Sequence, residues 1–156
     1  MGDDNAVSTI MTTNVVTLSP EQSVAEAADL LSERAIGAAP VVDESGTVVG
    51  LLRDEDLLLT ESNLHAPTAI EFLGAELIWP PSMHRYEAEL RRAAASKVSE
   101  LMSTDFATVA PNDTIESLAT LMHDKGSSHV PVVDENGALL GIVARGDLIR
   151  FLAATS

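Results

Sequence analysis

The sequence predicts a mixed α/β (α+β) fold in which two tandem β-α-β-β-α repeats pack about a pseudo-twofold axis, with a helical insert between them. Two observations carry this prediction. Residues 98–149 laid on residues 7–58, at a constant offset of 91 and without a gap, share seventeen of fifty-two amino acids, where unrelated sequences of ordinary composition share roughly one in fifteen. Each copy also runs through the same strand, helix and turn signals in the same order. A repeat of roughly 50 residues cannot easily bury a core alone, so the two are expected to fold as one unit, and any site at their axis comes in two related versions. The expected division is repeat 1 over residues 7–59, insert over 60–96 and repeat 2 over 97–154.

The elements follow in order. Val15-Val16-Thr17 and Phe106-Ala107-Thr108 are short β-prone runs, each ended by a turn containing Pro20 or Pro111, and are expected to be strands. A helix follows in both copies. Ser23 opens a capping box with Glu26, and Thr114 takes the same N-cap position with Ser117 in place of the reciprocal acid. Val24, Ala27, Ala28 and Leu31 recur at helical spacing, as do Ile115, Leu118, Ala119 and Met122, so each helix buries one face. Next come two β-hairpins, Ala39 to Asp43 with Thr47 to Leu52 and Val130 to Asp134 with Ala138 to Val143, turning at Ser45-Gly46 and Asn136-Gly137. Pro40 and Pro131 suit the start or edge of a strand. A closing helix begins near Asp54 or Arg145 and carries Leu57-Leu58 or Leu148-Ile149 inward.

The stretch 60–96 has no counterpart. Ile70, Leu73 and Leu77 space as a helix that stops at Pro80-Pro81, and Ser82 caps a second with Met83, Tyr86 and Leu90 on one side and an i, i+4 pair of Glu87 and Arg91. A structureless loop of that length is unusual inside a domain. The insert is open to three readings: packing on the main body, a dimer contact or a lid.

Bulk properties exclude several classes of function. At 156 residues and 46% hydrophobic the chain suits one domain with a real core. A formal charge of −15 with two lysines, Lys97 and Lys125, argues against nucleic acid and anionic membranes, both of which require a basic face. The absence of cysteine removes disulfides and thiol chemistry. No apolar run reaches the length of a membrane span and Met1-Gly2-Asp3-Asp4 lacks the basic flank of a signal peptide, so a cytoplasmic location is expected. No phosphate-binding Gly-rich loop with Lys, no His-Glu-x-x-His helix and no serine elbow is present, and His65, His84, His123 and His129 are scattered. Catalysis is not expected.

The order strand, helix, strand, strand, helix, with a Pro-Val-Val-Asp hairpin at Pro40 and Pro131 and a closing glycine-to-aspartate phrase from Gly50 to Asp56 and Gly141 to Asp147, resembles the cystathionine-β-synthase (CBS) domain. Two copies resemble a stand-alone CBS pair, or Bateman module. The resemblance implies a regulatory module that binds an adenosine-containing ligand such as AMP, ADP, ATP, S-adenosylmethionine or NADH in the cleft between repeats, with no cofactor required, and signals to a partner protein. It also implies a homodimer. Other family members bind Mg²⁺, and a purely structural pair with empty clefts is the remaining alternative.

In nucleotide-binding members the phrase reads Gly, two hydrophobics, Thr or Ser, two variable residues, Asp; the aspartate takes the ribose hydroxyls and the hydroxyl residue helps to hold phosphate. Here Asp56 and Asp147 keep the ribose half, while Arg53 and Ala144 replace the hydroxyl. A helix start favours an anion. Asp54, Glu55 and Asp56 crowd the first such start, which repels phosphate unless Arg53 reaches over them, whereas Arg145-Gly146 brings a cation and a close backbone to the second. The Asp147 site is therefore expected to be the better one. By the family's pattern the cleft is edged by the segment before each hairpin, the small apolar Ile36-Gly37-Ala38-Ala39 leading into Pro40 in one copy and the polar Ser127-Ser128-His129-Val130 leading into Pro131 in the other, whose His129 is placed to meet a phosphate, and by Thr17 and Thr108. The competing reading of Asp56 and Asp147 is that of first-turn acids which simply favour the helix dipole.

Overall fold

The computed structural model describes residues 5–57 and 96–155; the expected insert helices lie outside them. In chain order the elements are a 3-10 turn at Val7–Thr9, α1 (Val24–Glu33), β1 (Ala38–Val42), β2 (Val48–Arg53), a helical stretch at 54–57, α2 (Val98–Leu101), α3 (Ile115–Lys125), β3 (His129–Val133), β4 (Leu139–Ala144) and α4 (Arg145–Thr155). β1 pairs with β2 and β3 with β4, giving two two-stranded sheets. Tandem repetition of one small α+β motif is thus what the chain adopts. No helix among the described residues is long and apolar enough to cross a membrane.

The helix caps form as the local sequence dictates. Ser23 Oγ accepts the Glu26 N–H at 3.1 Å and Thr114 Oγ1 accepts the Ser117 N–H at 3.1 Å, each satisfying one of the donors that a helix start leaves unpaired. At the other end α3 stops on Gly126 with φ 63°, and the equivalent position after α1 is Ala35 with φ 53°. A left-handed residue is the usual helix terminator and glycine adopts it without a Cβ penalty. The first copy adopts the same geometry with a methyl group in place.

Both hairpins turn on an aspartate. Asp134 Oδ1 accepts the N–H groups of Asn136 and Ala138 at 2.8 and 2.9 Å, and Asp43 Oδ1 accepts those of Ser45 and Thr47 at 2.9 and 3.0 Å. Gly137 and Gly46 follow at φ 85° and 84°, a region costly to any residue with a side chain. The β3–β4 register sets His129 against Ala144 and Val132 against Gly141, with a shift after Val132. That alignment brings the start of β3 to the start of α4.

The predicted strands at Val15-Val16-Thr17 and Phe106-Ala107-Thr108 do not form. Pairing falls one residue later and is limited to single parallel bridges, Leu18 to Val41 and Val109 to Val132. A β-prone run becomes a strand only where a neighbour accepts its hydrogen bonds, and here Pro20 and Pro111 turn the chain away after one contact.

By packing, the described residues fall into two units, 5–17, 42–50 and 104–155 in one and 18–41, 51–57 and 96–103 in the other. These cut across the sequence repeats, because each unit takes its opening segment from the other copy. In the first unit, Val7 N–H donates to Asp113 O at 2.8 Å and Ile115 N–H to Asn5 O at 2.8 Å, while Thr12 and Ile142 exchange backbone bonds at 2.9 and 3.0 Å. In the second, Val98 N–H donates to Gln22 O at 2.8 Å, Val24 N–H to Ser96 O at 2.7 Å, and Leu51 and Ser103 exchange bonds at 3.0 and 2.9 Å. Val7 and Val98, equivalent in sequence, are fully buried in their respective units. The first unit's core joins Val7 to Ile115, Leu118 and Met122 of α3, Val130 and Val132 of β3, Val143 of β4 and Leu148 of α4. In the second unit Lys97, which precedes α2, pairs with Glu21 at 2.7 Å, and that bond raises its pKa above the ordinary 10.5.

Candidate functional site

In the second repeat the end of β4 and the first turn of α4 form one hydrogen-bonded knot. Arg145 N–H, the first donor of the helix, goes to Ser128 O at 2.8 Å, and Ser128 Oγ lies 3.0 Å from His129 Nδ1. Asp147 reaches back so that Oδ2 accepts the Ala144 N–H at 2.8 Å, while Oδ1 takes the Arg150 guanidinium. This is half of a capping box, with Ala144 at the N-cap and Asp147 at the third helical position. The missing half is the hydroxyl that Ala144 lacks. Ala144→Ser is therefore expected to add about 1 kcal/mol of stability, read as a higher urea midpoint with an unchanged slope; an unmoved midpoint would show that the Asp147 N–H already has an equal partner.

The structure thus gathers Ser128, His129, Ala144, Arg145 and Asp147 at one helix start. Arg145 is exposed and His129 half-buried, and the Asp147 side chain keeps 16% of its surface open. Gly146 lies inside the first turn, where an added Cβ would meet only the end of the Arg150 side chain at 3.4 Å. Val130 and Pro131 stand apart, because their side chains are fully buried and the Pro131 carbonyl is taken by the Val109 N–H at 3.1 Å. Thr108 is exposed and lines a hollow of about 590 Å³ with Asn112, Asp113, Asp134 and Glu135. The walls of that hollow include none of the residues at the Asp147 helix start. Arg150 is absent from the residues expected at the site; its i, i+3 spacing from Asp147 on a helix is the signal in the sequence that points to it.

The first repeat repeats the backbone and changes the side chains. Asp54 N–H donates to Gly37 O at 2.9 Å, the counterpart of the Arg145–Ser128 bond, and Asp56 Oδ2 accepts the Arg53 N–H at 2.8 Å. Arg53 does reach over the acids, with Nη2 3.3 Å from Asp56 Oδ1 and Nη1 3.1 Å from Glu55 Oε1. Ala38, Ala39 and Pro40 are buried and Thr17 is exposed. No group of three or more His, Asp or Glu among the described residues is placed to hold a metal ion, so Asp54, Glu55 and Asp56 do not converge as a Mg²⁺ site would require.

The sequence profile of the CBS domain matches residues 7–62 and again 98–154. The chain belongs to the CBS-domain family. Among its relatives, the CBS domain-containing protein YhcV of Bacillus subtilis is 35% identical over 144 residues, covering 92% of this chain and 83% of that protein. The chloroplastic CBS domain-containing protein CBSX2 of Arabidopsis thaliana is 29% identical over 140 residues, covering 88% of this chain and 58% of that protein. The solved structure of CBSX2 in complex with AMP matches this CBS pair with a TM-score of 0.74 and 25% identity, over 97% of this chain and 98% of that one. The doubling in the sequence is therefore a tandem CBS pair.

Proposed function

We propose that this CBS pair is a regulatory module that takes an adenosine nucleotide, AMP, ADP or ATP, at the start of α4, with Asp147 accepting the ribose hydroxyls. The single observation behind this reading is the Asp147 carboxylate, which is partly open, shares the first turn of α4 with the exposed Arg145, and has one oxygen engaged, among the described residues, by the exposed Arg150 alone. The likeness to CBSX2, whose structure contains AMP, supports the same ligand class. Arg145 and the helix start supply the positive potential that a phosphate requires. The Ser128–His129 segment gives a polar edge, and His129 is a further group that can face the phosphate.

In this reading the module works by population shift. Nucleotide binding stabilises one arrangement of the chain over another by no more than its difference in affinity for the two, and the bias passes to a second polypeptide, with a homodimer as the assembly. A thermal-shift panel with AMP, ADP, ATP, S-adenosylmethionine, NADH and Mg²⁺ tests it. A nucleotide at a hundred times its Kd should add about 2.7 kcal/mol, a clear upward shift in Tm. A response to Mg²⁺ alone would turn the assignment to a cation sensor, and silence across the panel would leave a structural pair.

A further inference from the structure

Both repeats set an arginine against the aspartate of the closing helix, but the two arginines arrive from opposite directions. In the second repeat Arg150 comes from one turn further along α4 and its side chain is 74% exposed. In the first, Arg53 is the N-cap residue itself. Its N–H and its Nη2 both hold Asp56, whose side chain is 6% exposed, and its own side chain is 32% exposed. Arg53 Nε is buried without a hydrogen-bond partner among the described residues, so the stem lies against the protein and not in solvent. At the sequence offset that relates the copies, Ala144 stands opposite Arg53 and Leu59 opposite Arg150; the exchange of one arginine position for the other is complete.

We infer that Arg53 is an internal competitor for Asp56, occupying the carboxylate that a sugar hydroxyl would need, so that the first repeat does not take the nucleoside that the second one takes. The inference rests on the reading of Asp147 given above. A hydroxyl must approach a carboxylate oxygen through open surface, and Asp56 has almost none, while both of its oxygens are already held by Arg53. At Asp147 one oxygen also meets a guanidinium, but an ion pair in solvent is weak and readily displaced. The Arg53–Asp56 pair is the less exposed of the two, at 32% and 6% against 74% and 16%, and charges attract more strongly where water is partly excluded. Two sites alike in backbone thus differ in how their aspartates are held, Asp56 by Arg53 at the helix start and Asp147 by Arg150 one turn on.

Calorimetric titration of the full chain with AMP, and in parallel with adenosine, tests this. Adenosine carries the ribose without phosphate, which matters because removing Arg53 leaves Asp54, Glu55 and Asp56 to repel an anion. Wild type is expected to bind one molecule per chain and Arg53→Thr two. On an Asp147→Ala background Arg53→Thr should still bind one, where Asp147→Ala alone binds at least tenfold more weakly than wild type. Arg53→Met, which keeps an apolar stem and removes the charge, stands in if far-UV circular dichroism shows the threonine variant unfolded. Two molecules bound by wild type, or one by folded Arg53 variants, would overturn the inference and leave the Asp147 assignment intact. A wild type that binds neither compound, or an Asp147→Ala variant that binds as wild type does, would remove the Asp147 assignment and the inference with it.

Discussion

Gly141→Ala is expected to destabilise the protein by about 1–3 kcal/mol, the usual cost of forcing volume into a packed interior. A Cβ at this position would lie 2.8 Å from Thr12 O and 2.8 Å from Met11 Sδ. The methionine can shift, but the carbonyl is backbone and is tied down by the paired hydrogen bonds between Thr12 and Ile142. The added methyl must therefore push the opening segment of the chain away from β4, loosening Val7 and Met11 from the core they help to close. Gly146→Ala is the control. It lies in the first turn of α4, meets only a flexible side-chain end, and should be neutral or up to about 1 kcal/mol stabilising, since alanine is the better helix residue. Urea denaturation of the two variants decides the point, and equal midpoints would show that the approach of segment 11–12 to β4 is not a constraint.

Asp147→Ala should weaken AMP binding by roughly ten- to a hundredfold. A hydrogen bond to a charged acceptor is worth about 1.5–3 kcal/mol, and about 1.4 kcal/mol is a factor of ten in Kd. The variant also loses the bond from Asp147 Oδ2 to the Ala144 N–H, so a fall in stability of up to about 1 kcal/mol is expected as well. Asp147→Asn separates the two effects, because the amide oxygen can still accept the Ala144 N–H while the charge that favours the ribose hydroxyls is gone. Its stability should stay near wild type while its affinity falls. A loss of affinity below about threefold in Asp147→Ala, at full folding, would take the residue out of the site.

How much of this was legible beforehand varies with the range of the interaction. The capping residues Ser23 and Thr114, the buried stripes of α1 and α3, and the glycine turns at Gly46 and Gly137 depend on residues within four positions of one another, and the structure forms them where the letters place them. The strands expected at Val15 to Thr17 and Phe106 to Thr108 do not form, because β-branched and aromatic content says nothing about whether a neighbour is present. Arg53 is the instructive case. Its position beside three acids was plain, but whether it would turn outward to a ligand or inward to Asp56 depends on which rotamer the surrounding packing allows.

The amino-acid sequence alone determined that one α+β motif occurs twice, where each helix is capped, where each hairpin turns, and that an aspartate follows each motif glycine by six residues. Only the tertiary structure decided that each opening segment is built into the unit dominated by the other copy, that Gly141 is small because the backbone at Thr12 passes beside it, and that Asp147 stays partly open while Asp56 is covered. The physical reason is the same in each case. Periodicity, capping and turn chemistry are local and repeat whenever their letters repeat, whereas burial and access arise from contacts between segments far apart in the chain, which two similar sequences need not share.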